Sequence, residues 1–376
     1  MTLHNASNFK AGYNLGLEKS GHHCMVVVAK ATYTLPKNKD EAPTLLDEDK
    51  QVNIYPADVY TGEPGESAIL YENDFAPFKP KCDVILNGSA YAYPDKEVTE
   101  CIVQLKVADI DKSFKVIGKR VWEKHGSDLS ISEPTPFSTQ VISLDVAYGG
   151  YDFDPEKPSQ DDENYVAFDA NPVGQGFAPY HDDENLEGKL LAQTQEIEVS
   201  ATDTQGKETY IPQSFGVMPR HTYPRYTLGG TYDKHWAEEI SPFLPDDFDE
   251  AYYQSVGEEQ QMAYVEGGEK VYLKGLTLQG ESSFALPTQE VPMEVIRSNG
   301  NREVLSPVVD TLIIEPDEKR FTMLSRAKIT LKRSIHEVDT IIVGTPDALW
   351  EKKRLYGECY EEEKEEILEI TEGTNG

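Results

Sequence analysis

The sequence predicts a mainly β protein: antiparallel, sandwich-like sheets with a long irregular central segment and a few short helices. Three observations carry this expectation. Runs with a period of two recur in both halves of the chain. Residues 151–190 have almost no periodicity. Helix-like stretches are short and few.

The strand candidates follow in chain order. "MVVVAKATYTL" (25–35) is rich in β-branched residues. "CDVILNGSAYAY" (82–93) comes next, and in "CIVQLKVAD" (101–109) Cys101, Val103, Leu105 and Val107 share one face, with Gln104 and Lys106 on the other. "SFKVIGKRVW" (113–122), "TQVISLDVAY" (139–148), "QEIEVSAT" (195–202), "EKVYLKGLTL" (269–278) and "VDTLIIEP" (309–316) extend the series. The clearest alternation is "RFTMLSRAKITLK" (320–332). There Phe321, Met323, Ala327, Ile329 and Leu331 oppose Thr322, Arg326, Lys328, Thr330 and Lys332, which predicts one buried face and one wet face. Few helices are available as crossovers, so antiparallel pairing is expected.

In the irregular segment, Tyr151, Phe153, Tyr165, Phe168, Phe177 and Tyr180 imply that much of it packs down. Helical turns are expected at "WAEEI" (236–240) and at "DDFDEAYYQ" (246–254), the latter capped by Asp246 or Asp247 after Pro245. A third helix is expected at "TPDALWEKKRLY" (345–356), with Thr345 as cap, Pro346 at its first position, and Leu349, Lys353 and Tyr356 near one face. The domain reading is one β-rich unit over 1–345, with possible sub-units 1–150 and 190–345 joined by 151–189. A short helix and an acidic tail follow over 346–376.

With 376 residues, 38% of them hydrophobic, the chain can build a sizeable core. Its formal charge of −32 argues against nucleic acid, whose phosphates need clustered Lys and Arg, and against an anionic membrane surface. Such a field favours hydration and attracts a basic partner. Cys24, Cys82, Cys101 and Cys359 form no CxxC pair and read as reduced thiols. The start "MTLHNASNFKAGYNLG" lacks the pattern of a signal peptide, and no stretch approaches a membrane span, so a cytoplasmic location is expected.

Little catalytic chemistry is legible. His22, His23 and Cys24 are adjacent, but neighbours on a strand point to opposite faces and no third ligand is suitably spaced. "DDEN" occurs at 161–164 and 182–185 without the alternating acids and closing Glu of a calcium loop, and reads as solvated charge. Asp233, Glu238, Glu239, Asp246, Asp247 and Asp249 lie near aromatic rings, as a sugar-hydrolysing cleft requires, but 67 acidic residues make such proximity common. No nucleophile elbow, phosphate loop or zinc-protease helix is present. No catalytic residue, metal or cofactor is therefore assigned.

"TLGGTYDKHWAEEISPFLPDDFDEAYY" (227–253) reads as a folded connector. Gly229 and Gly230 permit a tight or left-handed turn, Tyr232 and Trp236 are large anchors, and Pro242 and Pro245 stiffen the path. Arg220 and Arg225 are expected to pair with Asp233 or Asp249. The functional alternative is an exposed binding ridge.

Seven blocks in order, "KPKCDVILNGSAYA", "VIGKRVWEKHG", "PTPFSTQVISLDVAYGG", "NPVGQGF", "PRYTLGGTYDKHW", "LPDDFDEAYYQ" and "VDTLIIEPDEKRFTMLSRA", resemble the bacterial domain-of-unknown-function 2169 family over about residues 20–335. Gly149, Gly150, Asn171, Pro172, Gly230, Thr231, Tyr232, Asp233, Asp247, Phe248 and Asp249 match its pattern, while Tyr148, Tyr223 and Ser325 stand where the family usually has Phe, Trp and Trp. The resemblance implies a cytoplasmic adaptor or chaperone of type VI secretion, which helps load PAAR-tipped effectors onto the spike, with no enzymatic activity. The expected partner is then a secreted effector with a PAAR-like region, and possibly a spike protein. Residues 148–180 and 229–253 are the surfaces to look at first. Tyr148, Tyr151, Phe153, Phe177, Tyr180, Tyr232, Trp236, Tyr252 and Tyr253 are the candidate contacts. Gly149, Gly150, Gly229, Gly230, Asp233, Asp247 and Asp249 are turn and anchor residues. The alternatives are a carbohydrate-binding or carbohydrate-hydrolysing protein that uses rings and carboxylates, and a structural particle component.

Overall fold

The computed structural model describes residues 1–37, 41–92, 96–126, 128–154, 165–180, 186–199, 211–332 and 335–356. Both "DDEN" copies, Cys359, the acidic tail and the last three residues of "QEIEVSAT" lie outside the described residues; of the strand expected from Gln195, only Thr194–Gln195 forms, and 196–199 are turn and loop.

The β class is as expected, and three sheets organise it. The largest has six strands, in spatial order Gln261–Met262, Cys82–Leu86, Val308–Glu315, Arg320–Thr330, His23–Thr34 and Lys10–Leu17. A five-stranded sheet runs Thr194–Gln195, Ile110–Ile117, Glu100–Val107, Lys270–Lys274 and Glu281–Ala285. A four-stranded sheet runs Thr2–Ala6, Val338–Gly344, Met293–Arg297 and Arg302–Leu305. Most pairs are antiparallel. The exceptions include Thr2–Ala6 with Val338–Gly344 and Cys82–Leu86 with Val308–Glu315, where strands far apart in sequence lie side by side without a crossover helix. Several predicted runs are broken in two. Asn87 interrupts "CDVILNGSAYAY" by donating its side-chain amide to the Leu70 carbonyl, and a short helical turn at Leu144–Val146 interrupts "TQVISLDVAY".

The long strands His23–Thr34 and Arg320–Thr330 serve two cores. Ala31, Tyr33, Phe321 and Met323 pack with Val103, Leu105, Phe114, Val271 and Leu273 of the five-stranded sheet. Further along the same strands, Met25, Val27, Ala29, Ala327 and Ile329 pack with Met293, Val295, Ile341 and Val343 of the four-stranded sheet. One face of the large sheet is thus covered by two smaller sheets in succession. Strands from either side of 151–189 share these cores.

The other face is covered by irregular chain. Val26 and Val28 meet Ile54 and Phe75, and Ile85 and Ile313 meet Val217 and Val256. This overturns the wet face expected for 320–332: Thr322 and Arg326 are only 2% and 4% exposed, while Lys328 and Thr330 do face solvent. Burying the Arg326 charge is possible because its donors find partners, and the neighbouring buried charges do the same. The Arg326 guanidinium donates to Asp310 and to the Asp74 and Ala76 carbonyls. Lys30 Nζ lies 2.7 Å from Asp74 and 4.2 Å from the centre of the Tyr55 ring. Asp83 accepts from Lys79 at 2.6 Å and from the Ser255 amide at 2.8 Å. Removing one member of such a buried pair costs about 3–5 kcal/mol. These contacts fix the covering loops to the sheet.

Helix α1, Ala348–Tyr356, starts later than expected. Asp347, not Thr345, is its cap: Asp347 Oδ1 accepts the Trp350 amide at 2.7 Å, and Pro346 lies before the helix. No described helix is long and apolar enough to cross a membrane.

Candidate functional site

The motif blocks of 148–180 fold onto one another. Tyr148–Gly149 pairs in parallel with Gln175–Gly176, and the Asn171 side-chain amide donates to the Leu144 and Tyr148 carbonyls. Gly150 has φ +100°, and a Cβ there would stand 2.6 Å from the Gly174 carbonyl oxygen, so the close approach of the two chains requires glycine.

A hairpin then pairs Tyr151–Phe153 with Tyr165–Ala167. Strand alternation sends Asp152 inward, where it meets Lys189 at 2.6 Å, and sends Tyr151 and Phe153 outward. Tyr165 lies opposite Phe153 and joins them. The three rings stand with centroids 5.1–6.1 Å apart and are 55%, 55% and 45% exposed. The expectation that these aromatics pack down fails for this trio. It holds for Phe168 and Phe177, which are buried, and Tyr180 is half-buried. Two of the candidate contacts are corrected: Tyr148 and Phe177 pack edge-on at 6.4 Å in a small core with Phe168, so burial takes them off any docking surface.

The blocks of 220–253 fold together in the same way. Arg225 is buried; it donates to the Met218 and Tyr252 carbonyls and to Glu72. Arg220 bridges Glu72 and Asp58. The expected partners Asp233 and Asp249 are therefore wrong, because loop 58–72 supplies the acids. Asp233 accepts the Trp236 amide at 2.9 Å, and Asp249 accepts the Ala251 amide at 2.9 Å. Asp249, rather than Asp246 or Asp247, caps the short turn Glu250–Tyr253. Asp247 instead accepts the Thr231 amide and hydroxyl at 2.9 and 2.7 Å, and these bonds hold its carboxyl below the usual Asp range. Of the two glycines, Gly230 takes the left-handed conformation, with φ +82°. Tyr232 is 57% exposed; Trp236, Tyr252 and Tyr253 are half-buried, and the Tyr252 and Tyr253 rings pack on buried Phe248. Burial pushes the Tyr253 hydroxyl well above its ordinary value.

Some exposed rings carried no signal that marked them out. Tyr165 reaches the trio only through hairpin register, and Phe243, at 46% exposure, joins Trp236 only through the indole N–H, which donates to the Phe243 carbonyl at 2.9 Å.

The acids considered for sugar hydrolysis, Asp233, Glu238, Glu239, Asp246, Asp247 and Asp249, all lie on the open surface. A cleft of about 220 Å³ lies elsewhere, lined in part by Tyr71, Ser89, Val141, Glu315 and Asp317. Two of its acids have protein partners: buried Glu315 accepts from Arg320 and Tyr71, and exposed Asp317 from Ser89 and Tyr91. His22 contacts Ser20, and the Cys24 thiol is buried and pushed up by burial. Among the described residues no group of three or more His, Cys, Asp or Glu is placed to hold a metal.

A family model described as an uncharacterized protein conserved in bacteria, DUF2169, matches residues 20–326. The chain belongs to the DUF2169 family. No curated protein and no solved structure matches it. The DUF2169 match contains both aromatic surfaces. It leaves outside Thr2–Ala6 and Val338–Gly344, which pair with each other in the four-stranded sheet.

Proposed function

We propose that this DUF2169 chain is a non-enzymatic, cytoplasmic adaptor that holds a type VI secretion effector through its PAAR-linked region and helps load it onto the spike. The observation that carries a binding role is the trio Tyr151, Phe153 and Tyr165, three rings set side by side on a hairpin and left in water. Rings held in place in this way lose little side-chain entropy on docking, and each contributes roughly 1 kcal/mol or more when covered. The family resemblance supports the choice of client.

The test is co-purification of the tagged chain with a PAAR-bearing type VI effector expressed alongside it. The wild type is expected to retain the effector and the triple variant Tyr151→Ser/Phe153→Ser/Tyr165→Ser to lose it, with unchanged thermal unfolding. Retention by the triple variant would remove the trio from the interface. Turnover of a glycan panel by the purified chain would overturn the non-enzymatic reading.

A further inference from the structure

We propose that Tyr232, Trp236 and Phe243 form a docking ridge for an extended lysine- and arginine-rich segment of a partner polypeptide. This deepens the adaptor reading and rests on it for the natural client. Tyr232 and Trp236 are held as a pair, the backbone of Phe243 is bonded to that pair, and the Phe243 ring lies over Gly21. The Tyr232 and Trp236 centroids are 4.7 Å apart at 68°, and the indole N–H is already bonded to the Phe243 carbonyl. Tyr232 and Phe243 nevertheless remain 57% and 46% exposed. The turn beneath them is fixed by the Asp233 cap, by Asp247 on Thr231 and by the Asp249 amide donating to the Leu228 carbonyl. The ridge is therefore an ordered apolar surface, built before any partner arrives.

The charge around the rings selects the occupant. Asp233, Glu238, Glu239, Asp246, Asp247 and Asp249 are all exposed beside them. Two cations stand among them: Lys234, 3.6 Å from Glu238, and Lys19, whose Nζ donates to the Phe248 carbonyl at 2.8 Å. A neutral apolar partner would bury six carboxylates with only two cations to offset them, and an acidic partner would be repelled. A guanidinium or ammonium group gains twice, over a ring face and beside a carboxylate.

The experiment is fluorescence anisotropy of a labelled twelve-residue Arg-Gly repeat peptide titrated with the full chain, beside its Gln-Gly counterpart. The arginine peptide is expected to bind and the glutamine peptide not to. Each ring is worth about two- to fivefold, so Tyr232→Ala/Phe243→Ala should weaken binding about tenfold. Glu238→Gln/Glu239→Gln should weaken it and flatten its dependence on salt. Glu48→Gln/Asp49→Asn removes two exposed acids far from the ridge in sequence and should change neither. Equal losses in the ridge and control variants, or equal binding of the two peptides, would overturn the proposal. Circular dichroism checks that each variant folds; both truncated rings are about half exposed, so the core is untouched. Effector co-purification is scored separately. A chain that captures the arginine peptide at its ridge but no effector keeps this proposal and loses the adaptor reading. A chain that retains an effector while its ridge fails the peptide test does the reverse.

Discussion

Arg225 Nη2 lies 2.7 Å from Glu72 Oε1, and the guanidinium is 2% exposed. The same side chain donates to the Met218 and Tyr252 carbonyls, so one residue ties loop 72, the approach to the ridge and the turn behind it together. Arg225→Ala is expected to lower unfolding free energy by about 3–5 kcal/mol in urea titration. Arg225→Lys should recover little, because an ammonium cannot reach three separated acceptors with a planar fork. A loss below about 1 kcal/mol would mean that the loop is held by its apolar contacts alone.

The same pair sets an acid limit on stability. Burial pushes the Glu72 carboxyl up, but Arg225, Lys79 and Arg220 outweigh it and hold the group below its ordinary value of 4.5. As pH falls, the unfolded chain therefore takes up this proton before the folded one does. The stabilisation is complete above the ordinary value and is lost as pH drops through the folded one. Unfolding midpoints measured from pH 7 downward should decline below about pH 4.5. Glu72→Gln should start from a lower midpoint at pH 7 and lose less on acidification. A variant with the wild-type slope would place the acid sensitivity elsewhere.

The chain announced its strands better than their surroundings. Phe321, Met323, Ala327 and Ile329 alternate as a strand must, and they are buried. Alternation gives the period but not the cover. Thr322 and Arg326 are buried too, because the partners of Arg326 come from Asp310 and from carbonyls of residues 74 and 76. The Arg225–Glu72 pair spans 153 residues, a separation no local pattern encodes. The ridge was readable as far as its glycines and prolines. The cap lies two or three positions beyond the acids that sequence favours, since Asp246, Asp247 and Asp249 are chemically equivalent until the backbone chooses among them. Tyr151 and Phe153 share a face by alternation, whereas the third ring, Tyr165, depends on hairpin register.

Gly229 and Gly230 are neighbours with different constraints, which makes a paired test. At Gly230 φ is +82°, and a Cβ would meet Pro245 Cβ at 2.8 Å and Asp247 Oδ1 at 2.9 Å. At Gly229 the backbone is ordinary, and the nearest atom is the Tyr252 ring at 3.4 Å. Gly230→Ala should cost about 1–3 kcal/mol, from left-handed strain and from displacing the Asp247 bonds to Thr231. Gly229→Ala should stay within about 1 kcal/mol of wild type. Thermal unfolding of the two variants distinguishes them, and equal effects would show that the turn tolerates a side chain at both positions.

Helix α1 has nine residues, too short to persist in water unaided. It is kept by docking. The Trp350 ring stacks on His4 at 4.1 Å and 6°, Arg354 reaches Asp339 at 3.1 Å, and Arg302 bonds Glu351. Two of those partners, His4 and Asp339, lie on the paired strands Thr2–Ala6 and Val338–Gly344; Ile341 and Val343 of that pair enter the second core, whereas His4 and Asp339 belong to neither core. Trp350→Ala is therefore expected to abolish amide-exchange protection across 348–356 and to lower global stability by no more than about 1–2 kcal/mol. Phe321→Ala, in the core between the two larger sheets, should cost about 3–5 kcal/mol. If Trp350→Ala matched that loss, the helix would belong to the same cooperative unit as the core. Helix truncation would then unfold the chain instead of trimming its edge.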